Sequence, residues 1–156
     1  MDNITIIADT REQQPYDFSP WEVNVVRAGL PAGDYSLPGF ESQVAIERKA
    51  LDDLIGCLCK ERARFEKELA KLRAYETAAV IVEASLYDIA RGRYLSRMKP
   101  EAALQSMTAF HVRYGIPFLF AGDRAGGQYM TYSLLSKYLY EISKRYEQAW
   151  TAAATA

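Results

Sequence analysis

Four side chains stand where they can do chemistry: Asp9 at the end of ITIIAD, Asp34 in GDY, and Glu47 and Lys49 in IERK. Asp34 opens one extended stretch and Glu47 closes the next. Pairing those stretches antiparallel brings the two carboxylates together, and Asp9 reaches them from a third strand. Hard cations such as Mg²⁺ take oxygen ligands in octahedral geometry, with only a few carboxylates from protein, so Asp9, Asp34 and Glu47 make a suitable set, with Mn²⁺ able to substitute. Lys49 lies two residues after Glu47 and therefore on the same strand face. A metal-made hydroxide beside a fixed ammonium is equipment for hydrolysing a phosphodiester. Acidic and basic residues also alternate on ordinary solvated surfaces. Here the charges directly follow Val44-Ala45-Ile46, and charges that end a buried strand need partners.

The elements that must position these groups can be read from hydrophobic spacing. Ile4–Ala8 predicts a buried strand delivering Asp9, followed by loop from Arg11 to Pro20 and a strand over Trp21–Ala28. Asp34–Leu37 and Gln43–Lys49 predict a hairpin around Pro38-Gly39, extended over Leu37 to Gln43. From Ala50 the spacing becomes helical, with Phe65, Leu69 and Leu72 at i, i+4 and i+7 in a second segment. Ala78–Glu83 predicts a central strand, Pro100 opens a helix, and Ile116–Ala121 predicts a last strand. A long helix carries Met130, Leu134, Leu135, Tyr138, Leu139, Ile142 and Tyr146 on one stripe. Strands first in a meander, then alternating with helices, give an α/β fold: a mixed central β-sheet flanked by helices. One domain over residues 1–150 and a frayed tail over 151–156 complete the expected organisation.

The ordered motifs DTRE (Asp9 to Glu12), GDY, AIERKALDDL (Ala45 to Leu54) and the segment Arg62 to Ser85, with GIPFLF further on, resemble the nuclease domain of XPF-type structure-specific endonucleases. The family pattern GD, spacer, ERK-x-x-x-D is similar to Asp34, Glu47, Arg48, Lys49 and Asp53 here. The resemblance implies a restriction-endonuclease-like core. It further implies a metal held by Asp34 and Glu47 with Asp9 direct or through water, and Lys49 as the catalytic lysine. Arg48 would support the site or hold the DNA backbone, Asp53 and Arg11 would orient neighbours, and Glu12 would join the acidic cluster. The spacer between Asp34 and Glu47 is longer than in cellular members, and no helix-hairpin-helix region follows. This compact form resembles nucleases of phage or mobile elements.

Overall charge gives no signal for nucleic acid: 19 basic and 20 acidic residues leave a net charge of −1. DNA contact therefore has to be local. One basic cluster holds Lys60, Arg62 and Arg64, beside the loop residue Arg11. A second holds Arg91, Arg93, Arg97 and Lys99. Arg62 has an alternative partner in Glu66 one turn on. Cys57 and Cys59, two apart in a helix, point in different directions, which fits buried thiols in a reducing cytoplasm. His111 sits at helical spacing among apolar residues as a packed or surface imidazole. No apolar run spans a bilayer and the N-terminus lacks the basic start of a signal peptide, so a cytoplasmic protein is expected. The wide aromatic stripe on the last helix, with the resemblance to a dimerising family, implies a homodimer through that helix. Two other readings share these residues: a non-catalytic DNA-binding scaffold, and a restriction or recombination nuclease of different DNA specificity.

Overall fold

The computed structural model describes residues 3–155. In chain order the elements are β1 (Ile4–Asp9), β2 (Val23–Ala28), β3 (Tyr35–Ser36), β4 (Val44–Lys49), α1 (Leu51–Leu58), α2 (Arg62–Leu72), β5 (Thr77–Val82), α3 (Leu86–Ala90), α4 (Pro100–Tyr114), β6 (Phe118–Phe120) and α5 (Arg124–Thr155). The strands form one mixed sheet in the order β2-β1-β3-β4-β5-β6.

Side-chain alternation sorts the sheet's two faces. Ala45, Val80 and Val82 pack on one side with Leu54, Leu58, Phe65, Leu69 and Phe110 from α1, α2 and α4. Val44, Ile46, Ala79 and Ile81 pack on the other with Leu135 and Tyr138 of α5. Helices thus cover both faces, which is why β4 and β5 read as continuous apolar runs.

Only β3 runs against its neighbours: β1 pairs with β2 in parallel, β3 pairs antiparallel with both β1 and β4, and β4, β5 and β6 are parallel. The C-terminal ends of β1, β4 and β5 therefore share one sheet edge with the start of β3. Asp9, Asp34, Glu47, Lys49 and Glu83 all lie along that edge.

Three features differ from the sequence expectation. The first strands do not form a meander, because β2 lies parallel to β1 and residues 10–22 cross over between them. Buried Tyr16 and Phe18 anchor that crossover where a helix would ordinarily do so. The expected long hairpin is a two-residue β3 followed by successive turns, with Phe40 N donating to Leu37 O and Val44 N to Phe40 O. Helix α3 was not anticipated, although its start carries a capping box in which Ser85 Oγ accepts from Asp88 N and Asp88 accepts from Ser85 N. Beyond Trp150 the chain continues as helix to Thr155 with exposed side chains, and Ala156 lies outside the described residues.

The stripe on α5 is used largely within the chain. Leu135 and Tyr138 are buried against the sheet and Met130, Leu134, Leu139 and Ile142 pack beside them, whereas Tyr146 is 73% exposed. Cys57 is buried and Cys59 exposed, both as free thiols. Among the described residues no helix is long and apolar enough to cross a membrane.

Candidate active site

Backbone hydrogen bonds fix Asp34 between two strands. Its N donates to Ile46 O of β4 (2.8 Å), and its O accepts from Asp9 N at the end of β1 (2.8 Å). Gly33 makes this approach possible: its φ is +77°, and a Cβ there would stand 3.0 Å from Ala45 Cβ and 3.1 Å from Ile46 O. Tyr35 is fully buried and stacks on Tyr16 with ring centroids 5.1 Å apart, while its hydroxyl accepts from Tyr16 N. In GDY, then, glycine permits the close contact, aspartate carries the charge and tyrosine anchors both to the core.

Period-two geometry separates the three charges of ERK. Glu47 and Lys49 follow Ala45 onto the α1/α2 side, where Lys49 Nζ lies 2.7 Å from Glu47 Oε1 and 5.6 Å from the Phe65 ring centroid. Arg48 turns to the opposite side, although its backbone N donates to Asp34 Oδ2 (2.7 Å). Asp9, Asp34, Glu47 and Lys49 together line an open cleft of about 500 Å³, bordered also by Arg11, Arg64 and Glu68.

The electrostatics of the cleft centre on two carboxylates. Burial, reinforced by the adjacent Glu47 charge, pushes Asp34 up to about 7. Lys49 is half-buried, and its desolvation by itself favours the neutral amine, but the Glu47 charge outweighs that and holds the ammonium above its ordinary value. Asp9 is only 1% exposed, and both its oxygens accept from Arg11 Nε (3.2 and 3.1 Å). Burial opposes its charge, yet the Arg11 bonds win and its carboxyl lies below the usual range. Among the described residues, no three Asp, Glu, His or Cys side chains converge as a preformed ion site. Asp34 and Glu47 are the converging pair, with Asp9 alongside and held by Arg11.

Arg48 belongs to a different arrangement. Its Nε and Nη2 donate to Glu83 Oε1 and Oε2 (2.6 and 3.1 Å), and its Nη1 lies 3.4 Å from Glu12 Oε1. Tyr16 lies between this guanidinium and that of Arg124, at 5.5 and 5.1 Å, and Arg124 also donates to the Gln14 and Pro15 carbonyls. This buried cluster ties the 10–16 loop to β4, β5 and the start of α5. Gly127 leaves room for it, since a Cβ there would fall 2.2 Å from Tyr16 Oη.

With that geometry, the ERCC4 domain matches residues 8–134. The chain belongs to the ERCC4 domain family. XPF from Aeropyrum pernix is similar at 26% identity and a TM-score of 0.68, over 85% of this chain and 60% of that one. XPF from Aeropyrum pernix in complex with DNA is similar at 28% identity and a TM-score of 0.69, over 89% and 66%. The chain thus spans roughly two thirds or less of each of these relatives. No curated protein sequence matches it significantly. Its mixed sheet and covering helices are the XPF nuclease fold, which is restriction-endonuclease-like.

Within this ERCC4 domain the remaining sequence candidates scatter. Asp53 does not line this cleft; it lines an adjoining pocket with Arg48 and Lys49 and makes no side-chain hydrogen bond among the described residues. Its neighbour Asp52 accepts from Leu95 N. Arg64 is exposed at the cleft rim and pairs with Glu61. Arg62 neither lines the cleft nor pairs with Glu66. It donates to Leu58 O and Ser106 Oγ and lies over Phe110, while Glu66 pairs with Arg113. Lys60 sits exposed in the α1–α2 turn, Arg93 pairs with Asp88, and Arg97 is exposed. His111 is exposed, and its Nδ1 lies 3.0 Å from Ile116 O. Glu83, Tyr16 and Arg124 were missed as contributors. The signal for Glu83 was present, because it ends the apolar run AAVIV as Glu47 ends VAI.

Proposed function

We propose that the chain is a metal-dependent endodeoxyribonuclease that hydrolyses phosphodiester bonds in DNA at junctions between duplex and single strand. The observation that carries this reading is the Asp34–Glu47 pair, two carboxylates crowded together in the cleft of an ERCC4 domain with the Lys49 ammonium bonded to one of them. The similarity to an XPF that was solved in complex with DNA supports DNA as the partner.

The donor set suits Mg²⁺, with Mn²⁺ as a substitute. Two carboxylate ligands leave most of an octahedral shell for water and phosphate oxygens, and like charges in one cleft favour a cation between them. Bound there, the ion would make hydroxide available near neutral pH and offset phosphate charge. Asp34 and Glu47 would hold it, and Asp9 would join through water or when Arg11 turns to a DNA phosphate. Lys49, kept protonated beside Glu47, can donate to a phosphate oxygen as negative charge develops on it. Arg64 and Arg11 at the rim would position the backbone. Arg48 acts by holding Glu12 and Glu83 rather than by touching substrate.

The exposed Tyr146 and Trp150 on the outer turns of α5 favour pairing with a second copy of the chain. The test is incubation of the purified protein with duplex, flap, splayed-arm and four-way DNA in Mg²⁺, Mn²⁺ or chelator, with light scattering on the same samples. Metal-dependent cutting near the branch and a dimer mass are expected. Binding without cutting in either metal would leave a scaffold. Sequence-specific cutting of plain duplex would leave a restriction-type nuclease.

A further inference from the structure

The loop between α3 and α4, residues 91–99, reads RGRYLSRMK and contains four cations and no acid. It follows β5 and α3 and therefore stands at the sheet edge that carries Asp34, Glu47 and Lys49. Leu95 N donates to Asp52 Oδ1 (2.9 Å), three residues beyond Lys49 in sequence, which docks the loop tip on the first turn of α1.

The tip is built to present one side chain. Tyr94 and Met98 turn inward and pack against the core, and Tyr94 Oη donates to Met98 O (2.8 Å). Met98 N donates to Ser96 Oγ (3.1 Å). Leu95, held between these anchors, is 91% exposed, the most exposed large apolar residue described. Arg93 is occupied by Asp88, whereas Arg97 and Lys99 form no ion pair among the described residues. A fixed apolar side chain in a basic loop is the combination with which proteins part stacked bases while gripping the flanking phosphates.

We infer that Leu95 is a wedge that inserts against the terminal base pair of branched DNA, with Arg97 and Lys99 on the adjoining phosphates, so that this loop selects the junction. The inference rests on the nuclease reading above. Leu95 makes no core contact, so its substitution leaves the fold intact.

The full chain and its L95A variant are compared on splayed-arm DNA and on unbranched duplex, each with 2-aminopurine in the pair next to the branch or in the equivalent duplex pair. Binding is read in chelator and cutting in Mg²⁺. The parent protein is expected to raise the 2-aminopurine fluorescence of the splayed arm. L95A should lose that rise and cut the splayed arm about tenfold more slowly, the scale set by losing one buried apolar anchor, with duplex affinity unchanged. An equal fluorescence rise and equal cutting by L95A would overturn the wedge. So would a loss of affinity shared equally by branched and plain DNA, which would make the loop a general phosphate contact. If the parent neither binds nor cuts any DNA, the nuclease reading itself falls; if it cuts and L95A cuts alike, only the wedge does.

Discussion

Asp34 concentrates the cost of the site in one residue, because it is half-buried beside Glu47 and raised to about 7. Its folded value exceeds the unfolded one, so the folded state binds the extra proton between about pH 4 and 7, and stability should fall as pH rises through that window. The carboxylates held low, Asp9 and Glu83, act oppositely: their contribution is present above the unfolded value and is lost only below about pH 4. Melting in chelator at pH 5 and pH 7.5 should therefore show the lower Tm at pH 7.5. Asp34→Asn should abolish the difference, and Mg²⁺ should raise the Tm more at pH 7.5 than at pH 5. An unchanged pH trend in Asp34→Asn would assign the effect to another group. Asp9, Asp34 and Glu47 were legible because strand alternation and the terminal position of the charges are local properties. The same alternation sends Arg48 away from Glu47, yet its partners Glu83 and Glu12 are 35 and 36 positions distant, and no local pattern reveals such a pairing.

Among the elements, β4 and β5 are joined at their ends by Arg48 and Glu83, whose side chains are only 10% and 8% exposed. Breaking a buried pair by removing one member costs about 3–5 kcal/mol, because the remaining charge loses its best partner. Glu83→Ala should lower stability on that scale in denaturant unfolding. The double change Glu83→Ala with Arg48→Met should recover much of the loss, because it removes a guanidinium otherwise left with only the 3.4 Å contact to Glu12. Failure of the double variant to recover would mean that the cluster acts chiefly through Arg124 and Tyr16. Elements with strong periods were readable: the buried strands, the Pro100 helix start and the α5 stripe all fall where spacing puts them. The parallel placement of β2 was not readable, since it depends on Tyr16 and Phe18 filling the core from a crossover without secondary structure. The short β3 escaped for a similar reason, because Gly33 and the turns after Leu37 set its length.

At the scale of the whole molecule, one sheet edge gathers groups from four adjacent strands, and the parallel run of β1, β4 and β5 with reversed β3 is what brings them together. The family follows from the 8–134 match, and on the proposed nuclease reading a chain with net charge −1 would grip DNA through the rim of that edge rather than through bulk attraction. Asp34→Asn preserves side-chain shape while removing a charge that would hold the metal. The decisive measurement of the metal role of Asp34 is single-turnover cutting of splayed-arm DNA in Mg²⁺, with binding measured in parallel. Asp34→Asn is expected to cut at least about a hundredfold more slowly and to bind the DNA as well as the parent or more tightly, because one repulsive charge near phosphate is gone. Cutting at the parent rate by Asp34→Asn would contradict that role.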